Sequence, residues 1–173
     1  DSTNPIIEIM SPTEGEYINT GKAEFSVDGK EDSELWWQFN DEEWERGYGK
    51  IKYKDYYLDD GFYTYTVKAQ DRAGNISEEK LVNFCVDETA PLSFNIRLNV
   101  DGWTNNNAPI AEFETTDATS GISHYEYKVD ENGWKDCESP LQIETLENGK
   151  RIIFVRAIDK AGNVKEYKSS EFI

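Results

Sequence analysis

The 173 residues carry 35 acidic side chains against 18 basic ones, a formal net charge of −17 at pH 7. Such a chain repels nucleic-acid phosphates and anionic lipid, which excludes both as partners; it suits a secreted bacterial protein, a binder of divalent cations, or simply a solvated acidic surface. A hydrophobic fraction of 37% and an aromatic fraction of 13% suffice for packed cores, and no apolar run approaches the ~20 residues that cross a bilayer.

The chain starts abruptly at Asp1-Ser2-Thr3-Asn4-Pro5 without a signal peptide, and so reads as an excised fragment. Strand patterns then dominate and helix signals are nearly absent. Leu35, Trp37 and Phe39 alternate with Trp36 and Gln38, the period of a half-buried strand. The turn Asn40-Asp41-Glu42-Glu43 follows, and then Trp44. Lys50, Lys52 and Lys54 interleave with Ile51 and Tyr53 as an exposed basic edge that discourages edge-to-edge pairing. Leu58-Asp59-Asp60-Gly61 leads into a strand whose Tyr63, Tyr65, Val67 and Ala69 share one face. Tyr63 follows the turn as a corner tyrosine does in β-sandwiches, its hydroxyl bonded to nearby backbone.

The second half repeats the first. Ala69 to Asn75 (AQDRAGN) returns as Ala157 to Asn163 (AIDKAGN), and Ala23-Glu24-Phe25 returns as Ala111-Glu112-Phe113, each 88 residues later. Tyr125, Tyr127 and Val129 alternate with Glu126 and Lys128 before Asp130-Glu131-Asn132-Gly133 and Trp134, in which Asn-Gly is the strongest turn signal. Leu146-Glu147-Asn148-Gly149 leads into a strand with Arg151, Ile153, Val155 and Ala157 on one face. Two copies of one small all-β module follow, spanning residues 1–88 and 89–173, each an antiparallel sandwich of six or seven short strands. Val86-Asp87-Glu88-Thr89-Ala90-Pro91 forms the boundary, too short for free flight, so an elongated end-to-end pair is expected. Cys85 and Cys137 sit at non-equivalent positions and form neither a disulfide framework nor a zinc pattern.

The run Gly61 to Asn75, followed by Val86 to Pro91, resembles the tandem bacterial immunoglobulin-like (fibronectin type III-like) repeats of secreted or cell-surface proteins and of multimodular glycoside hydrolases. Ser120-Gly121-Ile122, Tyr125-Glu126-Tyr127, Asp130 to Trp134 and Ala157 to Asn163 carry the same marks in the second copy. The resemblance implies two immunoglobulin-like sandwiches, an extracellular or wall-attached location and neighbouring domains of the same polypeptide as partners. It covers adhesins, spacers and carbohydrate-binding accessory modules alike. Trp36-Trp37 has no paired aromatic in the second copy, and Tyr56-Tyr57 is an extra pair in the first.

Catalysis is not expected. The single histidine, His124, has no nucleophile arrangement around it in sequence, and no phosphate loop or His-Cys metal spacing appears. A polysaccharide face needs exposed flat rings with amides and carboxylates beside them. If Leu35, Trp37 and Phe39 face the core, Trp36 must point out; it then serves as a sugar platform, or packs beneath a loop or against the neighbouring unit. Tyr56, Tyr57, Phe62 and Trp103 are the other candidates for ligand contact. Trp44 and Trp134 recur at equivalent places and are read as core. Calcium is the third candidate ligand: Asp71, Asn75 and Asp87 would supply oxygens near the junction, unless Asp71 and Asn75 cap their own turn.

Overall fold

The computed structural model describes residues 2–20, 22–29, 33–48 and 54–173, the side chains of residues 22–29, 48 and 54–56 excepted. Lys50, Ile51, Lys52 and Tyr53, and the side chains of Lys54 and Tyr56, therefore lie outside the described residues. Among the described residues every regular element is a strand. The backbone divides into two compact units, Asp1–Glu88 and Thr89–Ile173.

Unit 1 holds β1 (Ile7–Ser11), β2 (Glu16–Ile18), β3 (Lys22–Gly29), β4 (Glu34–Phe39), β5 (Glu45–Tyr48), β6 (Lys54–Tyr57), β7 (Gly61–Gln70) and β8 (Lys80–Val86). One sheet runs β1-β3-β6 and the other β2-β8-β7-β4-β5. The chain passes from the first sheet to the second between β1 and β2 without a hairpin reversal. β2 therefore runs parallel to β8, the one departure in this unit from the expected antiparallel pattern among the described pairings.

The long β7 is the axis of the second sheet, with Leu35 opposite Ala69, Trp37 opposite Val67 and Phe39 opposite Tyr65. These six side chains are buried and pack with Ile7, Phe84 and Val86, as the alternation requires. Phe39 and Tyr65 stack at 5.1 Å and Tyr63 and Phe84 at 5.5 Å between centroids. Large rings fill a small unit that has few residues to bury.

Unit 2 holds β9 (Arg97–Leu98), β10 (Ile110–Glu112), β11 (Ile122–Val129), β12 (Lys135–Cys137), β13 (Leu141–Gln142), β14 (Ile153–Asp159) and β15 (Val164–Lys168). Its sheets run β13-β10-β9 and β12-β11-β14-β15. Tyr127, Val129, Ile153, Val155 and Ala157 are buried with Phe94, Ala111, Phe113, Ile143 and Phe172. An extra residue at Ser123 shifts the β11–β14 register between Ile122 and His124. The bulge lets Ile122 pack on the core while His124, Glu126 and Lys128 face outward.

Both hairpins after the central strand use a residue with positive φ, Asn40 (46°) and Asp130 (52°). Asn and Asp tolerate that region because a short polar side chain can bond locally. Asn40 Oδ1 accepts from the Thr64 N–H at 2.8 Å, and Asp130 Oδ1 accepts from the Ile152 N–H at 3.0 Å. The turn in unit 2 is thus centred earlier than Asn132-Gly133, because Asn132 N–H already closes on Val129 C=O at 3.1 Å.

The corner tyrosine is present: Tyr63 O–H donates to Asp59 C=O at 2.9 Å. Unit 2 fills the same corner with Arg151, whose Nη2 donates to Glu147 C=O at 3.1 Å while Nη1 meets Asp130 at 3.0 Å. Tyr63→Phe keeps the ring and its stacking on Phe84 but removes the donor. The expected loss is about 1 kcal/mol, a fall in melting temperature of roughly 4–8 °C for a domain of this size, measured by urea and thermal denaturation.

Candidate functional site

The outer face of the five-stranded sheet of unit 1 follows from the same parity. Lys68, Trp36 and Arg46 lie in one cross-strand row over β7, β4 and β5. Trp36 does point outward, but its ring is half-buried and the Arg46 guanidinium lies 5.5 Å from the ring centroid. Trp44, expected in the core, belongs to neither core cluster; its ring lies under Lys68 Nζ at 3.8 Å. Lys68 also reaches Glu79 at 3.2 Å.

Unit 2 builds the same clasp. Trp134, likewise expected inside, carries Arg156 at 4.4 Å and Lys128 at 5.0 Å over its ring, and Lys128 also faces Phe154 at 4.8 Å. Arg156 Nε pairs with Glu126. Both tryptophans therefore leave the core because a cation of the neighbouring strand holds their π-faces on the outside. The strand alternation could not place them, since each follows a turn that resets the register.

A second row on the same face of unit 1 sets Phe62, Cys85 and Tyr17 side by side on β7, β8 and β2. Phe62 is 67% exposed, while Cys85 is buried to 1% between its neighbours. These residues, with Thr64 and Asn83, line an open cleft of about 330 Å³. Its polar groups are already ordered: Thr64 O–H donates to Asn83 Oδ1 at 2.8 Å, and the Asn83 N–H donates to Glu14 Oε2 at 2.9 Å. That bond, followed by the Asn83 side chain, holds the Glu14 carboxyl below its ordinary pKa. Tyr17 was missed in the sequence because only the parallel β2–β8 pairing brings it here.

The aromatic candidates do not form one platform. Phe62 and Trp36 share a face, yet Phe62 is six residues along β7 from Lys68, the partner of Trp36, or about 20 Å at ~3.3 Å per residue. Tyr57 is 83% exposed but belongs to the other sheet, where it pairs with Lys22. Tyr56 is on the same strand, with its side chain outside the described residues. Trp103, 84% exposed, stands in a loop of unit 2. Neither cysteine is in a disulfide; burial, then Asp136 and Glu126, pushes the Cys137 thiol up to about 11, so it stays protonated at neutral pH.

No protein-family model and no curated protein matches the sequence. Among solved structures, the fibronectin(III)-like modules of Clostridium thermocellum CbhA match over 97% of this chain and 93% of theirs, with 17% identity and a TM-score of 0.60. The fold is immunoglobulin-like. The D00-D0 domain of intimin (10% identity, 97% of this chain, 100% of that chain, TM-score 0.41) is too distant to add to this. So is Bacteroides ovatus SGBP-B of a mixed-linkage glucan utilization locus, solved with a mixed-linkage heptasaccharide (12% identity, 98% of this chain, 47% of that chain, TM-score 0.39).

The immunoglobulin-like topology separates Asp87 from the other two calcium candidates, Asp71 and Asn75. Asp71 follows the far end of β7, whereas Asp87 follows β8 beside the start of β7, where Asp60 accepts from the Glu88 N–H at 2.7 Å. Ten residues of strand put the two ends about 30 Å apart. Asp87 is fully buried, its N–H donating to Ile18 C=O at 2.8 Å. Asp71 and Asn75 bond to each other: Asp71 Oδ1 accepts from the N–H groups of Ala73 and Asn75, and Oδ2 accepts from Asn75 Nδ2, each at 2.9 Å. Asp159 and Asn163 repeat the turn with matching bonds. Turn capping, the rival reading, is what these side chains do.

The Asn75 side-chain bond, with the backbone N–H groups of the turn, holds the Asp71 carboxyl below its ordinary value of 3.8. A depressed folded value contributes stability that is present above 3.8 and is lost as pH falls through the lowered value. Asp71→Ala should therefore be destabilised at pH 7, and its deficit against the parent should narrow as pH drops below the carboxylate range. Thermal melts across acid pH check this; a deficit that does not change with pH would refute the assignment.

Proposed function

We propose that the chain is a non-catalytic immunoglobulin-like spacer or adhesion module of a secreted or cell-surface bacterial protein. One observation carries the reading: both units commit equivalent chemistry-bearing side chains to their own architecture. The Asp-Asn turn, the corner donor and the tryptophan clasp each occur twice, and each engages groups that a binding surface would leave open. Neighbouring domains of the same polypeptide are its first partners, held apart by two rigid sandwiches. The likeness to the CbhA modules supports such a setting.

A second reading, a carbohydrate-binding accessory module, is favoured by the cleft between Tyr17 and Phe62. Two rings flank an ordered amide, hydroxyl and carboxylate, the mixture that takes up a sugar's C–H face and its hydroxyls. Trp36 is the weaker platform because Arg46 lies over its ring.

Affinity electrophoresis through gels containing plant, host and microbial polysaccharides separates the two. A spacer migrates unretarded in every gel. Retardation by one polysaccharide that falls about tenfold in Phe62→Ala, and not in Trp36→Ala, would replace the first reading by the second.

A further inference from the structure

We propose that unit 2 carries a binding site for a divalent transition metal, formed by His124, Glu126 and Asp136. His124 and Glu126 alternate onto the outer face of β11, and the β11–β12 register sets Asp136 directly opposite Glu126. One ligand atom from each residue lies within 4.8 Å of the other two. An ion bound at ~2.1 Å holds its ligand atoms about 3.4 Å apart, so small side-chain rotations close the site.

The other unit shows what this position requires. The equivalents of His124, Glu126 and Asp136 in unit 1 are Glu34, Trp36 and Arg46, with Arg46 opposite Trp36 in the same register. There the cation is built in: Arg46 lies 3.5 Å from Glu34 and 5.5 Å from the Trp36 ring. Unit 2 has a carboxylate where that cation stood, facing a second carboxylate across the strands, an arrangement that destabilises a sheet. Arg156 on β14 offsets the charge of Glu126, and a bound metal adds a positive charge shared between Glu126 and Asp136.

The surroundings suit a metal as well. Arg156 holds one oxygen of Glu126 and leaves the other available. Ser123 Oγ lies 3.1 Å from His124 Nδ1; with Nδ1 as the donor, Nε2 presents its lone pair. Partners of this kind orient ligands in metal sites. An open cavity of about 590 Å³, walled by His124, Asp136 and Glu138, leaves room for water or an external donor on the ion. Cys137 pairs with Tyr125 on the core-facing side and is not part of the set. One imidazole and two carboxylates suit Zn²⁺ or Co²⁺, whereas Ca²⁺ and Mg²⁺ prefer oxygen alone.

The chain has a single histidine, so its imidazole ¹⁵N signals are unambiguous. Titration of the untagged full chain with Zn²⁺ should move one ring nitrogen and saturate at one ion per chain, while Ca²⁺ should leave both nitrogens in place. Calorimetry should show binding lost in His124→Ala and weakened roughly 10–100-fold in Ser123→Ala, the usual effect of an outer partner. Asp136→Arg, which installs the built-in cation of unit 1, should fold with unchanged circular dichroism and bind no Zn²⁺. Unmoved imidazole signals at millimolar Zn²⁺ would overturn the proposal, as would equal affinity in His124→Ala or folded Asp136→Arg.

Discussion

The pairing of β4 with β7 and of β11 with β14 decides which side chains each unit buries. Leu35, Trp37 and Phe39 meet Ala69, Val67 and Tyr65 across one pair, and Tyr125, Tyr127 and Val129 meet Ala157, Val155 and Ile153 across the other. Because side chains alternate with period two, a slip of one residue would drive Trp36 and Lys68, or Glu126 and Arg156, into the core. A buried charge or an unsatisfied indole costs several kcal/mol, on the order of a small domain's entire stability. Register is therefore tightly specified, and every outward-facing feature inherits its position from it.

Within that frame the two copies solve the same problems with different chemistry. A phenol closes the corner in unit 1 and a guanidinium in unit 2. Asn40 and Asp130 occupy the same left-handed position and cap the neighbouring strand through the same oxygen. The clasp exchanges Lys68 for Arg156 beneath its tryptophan. Such exchanges keep the geometry and the group that acts at each place, a donor at the corner, an acceptor at the turn and a cation at the clasp, so two divergent sequences hold one backbone.

Much of this was legible in the sequence because it depends on local alternation and on the 88-residue repeat: the inward set, the outward Trp36, the corner Tyr63 and the Asp-Asn turn. What escaped depends on pairing across turns. Centring the second hairpin on Asn132-Gly133 would set Glu126 opposite Ser139, whereas the turn at Asp130 sets it opposite Asp136. That displacement of three residues conceals the juxtaposition with His124. Asp71 and Asp87 stay apart for a related reason: Asp71 begins the β7–β8 connection and Asp87 follows β8, and β7 is long enough to carry its two ends to opposite poles. Tyr17 needed the parallel β2–β8 contact, for which sequence periodicity carries no signal.

Since the shared features are consumed by the fold, any chemistry left for partners must lie where the copies differ. Phe62 is open, but Lys150 in its place is ion-paired to Glu171 at 2.9 Å, and Ile173 stands where Cys85 floors the cleft. Conversely, Arg46 places a cation beside Glu34 and over Trp36 in unit 1, while in unit 2 Asp136 faces Glu126, whose one oxygen is held by Arg156, with His124 beside them. Each unit thus retains one surface that its sibling has closed: an aromatic cleft in the first and a ligand-rich strand pair in the second. Two copies of one sandwich need not do the same thing, because a few outward substitutions on a fixed register separate a self-neutralised face from a reactive one.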